Sequence, residues 1–147
     1  MSLFLGGTSS ANECHDYEEG SFTMSLSAGS NTSNSGRYVK IGTMVLAAGN
    51  VQLDNISSGS NVTINGLPFT SDGGGVGRSY VGNIRGYNCS NISGSGMRPT
   101  NAVVHGDDQH VQCGTFESAQ AWSMMAYNDF TSTNNAVRWS CVYKSND

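Results

Sequence analysis

A period-two alternation of apolar and polar residues recurs along this chain and predicts β-strands. The alternation is strongest at residues 136–143, and Trp139, which lies inside this run, is expected in the core. Shorter strand patterns occupy residues 22–26, 37–41, 44–48, 61–64, 79–84, 102–105 and 110–113. The run that starts at Met44 continues to Leu53, either as one long strand or as two strands with a bulge at Gly49.

Turn residues separate these runs and set the expected fold class. Gly42-Thr43 allows a tight turn, Asn65-Gly66 ends the run before it, and residues 106–109 indicate the turn of a hairpin. Residues 86–100 have a weak pattern and are expected to form a long irregular loop. About eight to ten short strands with turns between them are typical of all-β folds, and we expect an antiparallel β-sandwich with jelly-roll-like connections.

Composition mainly excludes classes of partner, namely nucleic acid and a membrane interior. The 147 residues include 19 Gly, 2 Pro and 12% charged residues, which suits one domain rich in turns. The net charge of −4 argues against nucleic acid as a partner, because nucleic acid requires a basic face. No apolar run approaches the ~20 residues that cross a bilayer, so we expect no membrane insertion. A polar surface of low charge suits a neutral or weakly charged glycan that is held by hydrogen bonds.

The cysteines give no sign of a metal site. Cys14, Cys89, Cys113 and Cys141 form no Cys-x-x-Cys pair, so a structural zinc site is not expected. Cys141 lies in an apolar strand pattern and is expected to be a buried thiol, with Cys113 the next candidate. Spacing alone leaves a disulfide open.

The histidines allow a second interpretation. His15, His105 and His110 are expected at the surface or in the hairpin. A threefold axis through one of them would instead gather three imidazoles around a metal ion. We predict no metal and no cofactor.

Three segments carry motifs in a fixed order. The first runs from Gly6 to Thr23 and contains Gly-Gly-Thr, Ala-Asn and Asp-Tyr-Glu-Glu-Gly-Ser-Phe-Thr. The second, residues 36–42, is Gly-Arg-Tyr-Val-Lys-Ile-Gly, and the third, residues 62–70, is Val-Thr-Ile-Asn-Gly-Leu-Pro-Phe-Thr. Together they resemble the carboxyl-terminal domains of bacteriophage tail-fibre and tailspike proteins. Cys14-His15 and Met24 depart from that family's pattern, and the resemblance thins between residues 73 and 126.

The resemblance implies a β-sandwich that closes a homotrimeric fibre on the virion and is made in the host bacterial cytoplasm, where thiols stay reduced. It also implies that residues 1–16 are an arm or linker from an upstream fibre shaft and that residues 17–147 form the tip domain. Structural roles are expected for the motif residues Tyr17, Gly20, Tyr38, Gly42, Gly66, Pro68 and Phe69. Gly42 and Gly66 are expected in turns with positive φ, and Tyr38 and Phe69 in the core or at subunit contacts.

Catalysis is the alternative class of function. Polysaccharide cleavage usually needs two carboxylates about 5–10 Å apart, for which Asp107, Asp108 and Glu117 are the candidates. Adjacent Asp107 and Asp108 fit a turn better, because neighbouring strand residues point to opposite faces. Neither a Gly-x-Ser-x-Gly elbow nor a phosphate-binding loop occurs. We therefore expect a non-enzymatic protein. A cap that closes the trimer and binds no receptor is the other alternative.

The receptor is expected to be a host cell-surface glycan or lipopolysaccharide, bound within residues 78–128, where the family motifs run out. Loops on a rigid scaffold can vary without disturbing the core. Aromatic rings there offer faces for sugars, and polar side chains can bind hydroxyl groups. The predicted binding residues are Tyr80, Tyr87, Asn88, Asp107, Asp108, Trp122 and Tyr127. For Trp122, packing between strands or subunits is an equal alternative.

Overall fold

The structure, a computed structural model, describes residues 3–4, 13–14, 16–27, 34–53, 60–73, 78–87, 101–115, 123–127, 130 and 135–147. Within these residues the strands are β1 (Leu3–Phe4), β2 (Glu13–Cys14), β3 (Tyr17–Thr23), β4 (Ser25–Leu26), β5 (Asn34–Ile41), β6 (Met44–Leu53), β7 (Thr63–Asn65), β8 (Ser79–Tyr87), β9 (Asn101–His105), β10 (His110–Thr115), β11 (Ser123–Met124) and β12 (Asn135–Lys144). These strands pair antiparallel, and almost no helix occurs in the described part of the chain. The all-β antiparallel prediction is therefore confirmed.

One sheet contains ten of the described strands and nearly closes on itself. Its order is β3-β5-β6-β12-β8-β9-β10-β7-β4, with β11 paired to β10. The two ends of this order, β3 and β4, belong to one continuous segment that is interrupted only at Met24. The segment therefore pairs with β5 through its first part and with β7 through its last part. This arrangement resembles a barrel, in which closure removes the exposed edges of a sheet.

Inward-facing side chains of β6 and β12 form the centre of the core. Val45, Ala47, Val51, Val137, Trp139, Cys141 and Tyr143 are each at most 4% exposed. Glycines leave room for large neighbours: a Cβ at Gly36 would lie 2.3 Å from Cζ of Phe22, and one at Gly49 would lie 2.6 Å from Cε of Met24. The expected core position of Trp139 is confirmed.

Differences from the predicted strands occur where the local pattern is short. β6 runs unbroken through Gly49, which pairs with Gly36 on one side and Trp139 on the other, so no bulge forms. The hairpin of β9 and β10 lies where it was predicted. The strand predicted at residues 22–26 is divided at Met24 between β3, which begins at Tyr17, and β4. β8 extends to Tyr87, into the loop that was expected at residues 86–100. β11 and the pairing of β1 with β2 inside the expected amino-terminal arm were not predicted either. Strands of two residues carry too little alternation to be seen in the sequence.

No helix in the described segments has both the length and the apolar character needed to cross a membrane.

Candidate binding site

The motif residues behind the family resemblance meet around Tyr38. This residue of β5 lies opposite Gly20 of β3, where a Cβ would sit 2.8 Å from the Tyr38 ring. Phe69 contacts Tyr38 edge to face, with ring centroids 5.2 Å apart, and Lys40 Nζ lies 4.9 Å from the Phe69 centroid. The Tyr143 hydroxyl donates a hydrogen bond to the Phe69 carbonyl at 3.2 Å. The three motif segments thus pack against one another and against the core.

Two motif glycines adopt the left-handed backbone that was expected of them. Gly42 has φ of 58° and Gly66 has φ of 98°, so both predictions are confirmed. A Cβ at Gly66 would also lie 2.7 Å from the carbonyl oxygen of Thr23. Pro68 and Tyr17 are half-buried. These positions are explained by folding and leave the ligand to be sought elsewhere.

Tyr127 is fully buried, so the expectation that it stacks against a sugar is wrong. Its hydroxyl donates to the Thr63 carbonyl at 3.1 Å and accepts from the Ser27 amide at 3.1 Å, which ties β7 to the chain after β4. Met125 is buried as well, and its carbonyl accepts from the Val62 amide at 2.7 Å.

The other candidate residues are either outside the described part of the chain or on β8. Four predicted residues lie outside the described part of the chain: Asn88, Trp122, Glu117 and His15. Tyr87 is the last residue of β8, opposite Ala136 of β12. Tyr80 is half-buried: its ring centroid lies 6.3 Å from that of Tyr143, and its hydroxyl donates to the Asp72 carbonyl at 3.4 Å. The Tyr80 ring is thus engaged in packing.

Asp107 and Asp108 form the turn between β9 and β10. Asp107 has φ of 62°, a conformation that Asp tolerates in turns. Its amide donates to the Ser71 carbonyl at 3.0 Å, while the Asp108 carbonyl accepts from the Ser71 amide at 3.0 Å. A Cβ at Gly73 would lie 1.9 Å from Oδ2 of Asp107. The turn prediction is confirmed, and these contacts fix the hairpin against residues 71–73.

A chain of polar side chains crosses the surface beside this hairpin. Ser79 Oγ lies 3.0 Å from His105 Nδ1, and His105 Nε2 lies 2.8 Å from Gln112 Oε1. Gln112 Nε2 lies 3.1 Å from His110 Nε2, whose ring Nδ1 is 3.5 Å from Asp108 Oδ1. One tautomer of each imidazole satisfies this whole chain, with Gln112 accepting from His105 and donating to His110. Within the described segments no group of three or more His, Cys, Asp or Glu is placed to hold a metal ion.

The outer face of the barrel carries straight rows of side chains, because directly opposed residues of paired strands point to the same side. One such row, called the arginine row here, consists of Thr23, Ser35, Asn50, Arg138 and Arg85 on β3, β5, β6, β12 and β8. Arg138 and Arg85 are directly opposite each other, and both are exposed. Arg138 Nε donates to Asn50 Oδ1 at 3.3 Å. The next row contains Ser21, Arg37, Ala48, Ser140 and Asn83.

Further along the same strands the outer face is apolar. The apolar strip consists of Ile41, Met44, Leu46, Val142 and Val81, which are 40–62% exposed. Leu46 lies opposite Val142, and continuing the β12–β8 register by two residues places Val142 beside Val81. Large apolar side chains gathered in one exposed area often mark a protein interface.

An open groove of about 550 Å³ lies between these two regions, on β3, β5 and β6. Arg37 and Ala48 line it from the polar side, and Val39 and Leu46 line it from the apolar side. Glu19, Gly20, Ser21 and Tyr38 complete the lining. A concave surface with apolar walls and a few polar groups is typical of sites for small ligands.

Two cysteines can be compared with the prediction of buried thiols. Cys113 and Cys141 are both buried thiols, as expected. The side chain of Cys14 and all of Cys89 lie outside the described residues. Burial raises the pKa of Cys141 to about 11, and burial likewise raises the pKa of Tyr143 far above its usual range. Neither group is therefore poised for chemistry near neutral pH.

The pairing of Arg85 with Arg138 was not predicted from the sequence. Each occupies an outward position of an alternating strand, and the alternation in the sequence is enough to predict that outward position. Their adjacency depends on a register between residues 53 positions apart, which local patterns do not set.

Comparison of the chain with protein-family models, with curated proteins and with solved structures finds no match.

Proposed function

We propose that this chain is the tip domain of a bacteriophage tail fibre, which attaches the virion to a host cell-surface glycan or lipopolysaccharide. The proposal includes the finer architecture expected from the family resemblance, a jelly-roll-like β-sandwich in a homotrimer that continues an upstream shaft. The observation that carries it is the division of one outer face into an apolar strip and a polar region with arginines. One region suits contact between copies of the chain, and the other suits a hydrophilic ligand.

The apolar strip supports self-association. Met44, Leu46 and Val142 are each about half exposed on neighbouring strands, and none of them contributes to the core of a single chain. Burying such side chains between copies contributes roughly 25 cal/mol per Å² of apolar surface that is removed from water. The second copy of this chain is the occupant that we assign, because a fibre tip needs identical neighbours around its axis.

The motif cluster around Tyr38 and Phe69 supports a fixed scaffold beneath a variable surface. These residues pack inward or against one another, so ligand recognition is left to the outer face. Recognition by a scaffold of this kind needs no catalytic group. Two of the three carboxylates considered for catalysis, Asp107 and Asp108, are held in a turn by Ser71, and the third, Glu117, lies outside the described residues.

Adsorption competition tests the proposal. Purified protein, added to susceptible bacteria before the phage that carries this fibre, is expected to block adsorption in a saturable manner. Protein that is folded and trimeric but leaves adsorption unchanged would support the alternative of a cap without receptor binding. Release of new reducing ends from host polysaccharide by the protein alone would instead support the alternative of a cleaving enzyme.

A further inference from the structure

The floor of the groove on β3, β5 and β6 is aliphatic. Val39 lies directly opposite Leu46, and Ala48 follows Leu46 by two residues on the same side of β6. Leu46 is half exposed, so a ligand that covers it gains from the removal of apolar surface from water. The small side chain of Ala48 leaves room beside it, and the volume of about 550 Å³ lies within the range of sites for small ligands.

Polar side chains that accept and donate hydrogen bonds line the same groove. Glu19 lies opposite Val39, and Ser21 lies opposite Arg37. A carboxylate only accepts hydrogen bonds, a guanidinium only donates them, and a hydroxyl does both. Glu19 and Arg37 are diagonal neighbours on paired strands, which places them about 7–8 Å apart. The two charged groups can therefore bind different hydroxyl groups of one ligand.

The carboxylate of Glu19 is oriented by a residue outside the groove. The Tyr17 hydroxyl, two residues earlier on β3, donates to Glu19 Oε2 at 2.7 Å. This hydrogen bond raises the pKa of Tyr17, so the phenol keeps its proton and remains the donor at neutral pH. A carboxylate has about four acceptor positions, and Tyr17 uses one of them. Oε1 of Glu19 is thus held in place with its capacity to accept from a ligand.

The charges of the groove favour a neutral ligand. Its lining includes one carboxylate and one guanidinium, so an anion would meet Glu19 and a cation would meet Arg37. An apolar partner would remove both charges from water without replacing their hydrogen bonds, which is costly. A saccharide avoids this cost, because its hydroxyl groups bond to both charges while the C–H groups of its ring cover the aliphatic floor.

We infer that this groove binds a neutral hexose. The ring lies against Val39 and Leu46, and the hydroxyl groups face the polar side chains of β3 and β5. The inference rests on the proposed function, because it names the chemical class and the site of the receptor. Val39 points outward and alternates with the inward motif residue Tyr38, so the groove can vary without disturbing the core. Leu46 also belongs to the apolar strip, which places the sugar at the margin of the contact between copies.

Titration of ¹⁵N-labelled protein, followed by amide chemical shifts, tests the site. The probes are the methyl glycosides of glucose, galactose and mannose, with glucuronate and inorganic phosphate as anionic comparisons. At least one methyl glycoside is expected to shift the amides of Ser21, Val39 and Ala48 in a saturable manner. It is expected to bind about tenfold more tightly than either anion.

Two substitutions with matched controls test the polar groups. Glu19→Gln keeps the shape of the side chain and is expected to weaken binding about tenfold, as for the loss of one charged hydrogen bond. Glu18→Gln is its control, because neighbouring strand residues point to opposite faces, and it is expected to keep the affinity. Arg37→Gln is expected to weaken binding about tenfold as well. Its control is Arg85→Gln, which removes the same charge on β8, outside the groove.

Three results would overturn the inference. The first is the absence of a saturable shift with all three methyl glycosides. The second is an equal loss of affinity in Glu18→Gln and Glu19→Gln, or in Arg85→Gln and Arg37→Gln. The third is binding of glucuronate or phosphate at least as tight as that of the neutral glycosides, which would assign the groove to an anion.

Adsorption competition separates this inference from the proposed function. If the variant with both Glu19→Gln and Arg37→Gln loses glycoside binding and still blocks adsorption, the groove is not the receptor site while the proposed function stands. If the unchanged protein binds a methyl glycoside in the groove and fails to block adsorption, the site stands and the proposed function fails.

Discussion

The apolar strip and the arginine row are built on the same strands, yet their chemistry is opposite. Both use outward positions of β5, β6, β12 and β8, and on β12 Val142 and Arg138 are four residues, or about 13 Å, apart. The apolar strip adds nothing to the core of a single chain, and exposed apolar groups in one area favour association. The arginine row is polar, and Arg138 within it bonds to Asn50. The inward positions of these strands explain the fold, and the outward positions require a function to explain them.

Removal of Trp139 is expected to have the largest effect, because this large side chain is buried in the core of the barrel. Trp139→Ala should lower the free energy of unfolding by about 3–5 kcal/mol, through lost burial and an unfilled cavity. Urea unfolding followed by circular dichroism measures it, with the outward neighbour Ser140→Ala as control. A change below about 1 kcal/mol would contradict the view that one core supports both regions.

A smaller effect is expected from Tyr127, which lies away from both regions. Tyr127→Phe removes a buried hydroxyl that bonds to the Thr63 carbonyl and to the Ser27 amide, and these two groups still bond to each other at 3.1 Å. The loss should therefore be about 0.5–1.5 kcal/mol. Tyr17→Phe is the matched control, because its hydroxyl bonds to Glu19 at the surface. Neither variant should change the oligomeric mass. Equal stability losses in the two variants would contradict the buried role of Tyr127.

Alkaline pH tests the core between the two regions. The folded chain holds the Cys141 thiol protonated up to about pH 11, whereas the unfolded chain releases this proton near its ordinary pKa of 9.0. The free energy of unfolding contributed by this group is therefore complete below pH 9 and is lost as the pH rises toward 11. Tyr143, whose pKa is also raised by burial, extends the loss further into alkali.

Denaturant unfolding at a series of pH values measures this loss, and Cys141→Ala is expected to flatten its first part. A thiol reagent at neutral pH should react with Cys141 only after denaturation. Rapid reaction of the native protein at this residue would show that the strand is open to solvent.

The smallest effect on stability is expected at Asn50, within the arginine row. Asn50→Ala removes one exposed hydrogen bond to Arg138, so stability should change by less than about 0.5 kcal/mol. Urea unfolding followed by circular dichroism compares the variant with the unchanged protein. A loss above about 1 kcal/mol would contradict the exposed character of this bond.

Local patterns predicted much of the fold. β12 alternates buried and outward residues along its length, and this alternation is visible in the order Val137, Arg138, Trp139. Gly42 and Gly66 were predicted in turns because few other residues adopt their backbone conformation. The alternation of a strand and the glycine of a turn depend only on residues that are close together in the sequence, so one sequence is enough to predict them.

These local patterns did not predict which strands pair over long distances in the sequence. The closure of the sheet depends on the switch at Met24, where one segment leaves β5 and joins β7. The arginine row likewise requires the β12–β8 register, which is set by packing across the barrel. The burial of Tyr127 could not be predicted for a related reason, because it depends on contacts with Ser27 and Thr63, which are distant in the sequence.

Two charge insertions on β6 test the division of the outer face most directly. Leu46 belongs to the apolar strip, and Ala48, two residues along on the same side, belongs to the polar region. Light scattering at micromolar concentration is expected to give three times 15.5 kDa for the unchanged protein and for Ala48→Glu. Leu46→Glu is expected to give 15.5 kDa, because a carboxylate cannot be buried in the apolar contact. A monomeric unchanged protein, or a Leu46→Glu variant that stays trimeric, would contradict the account.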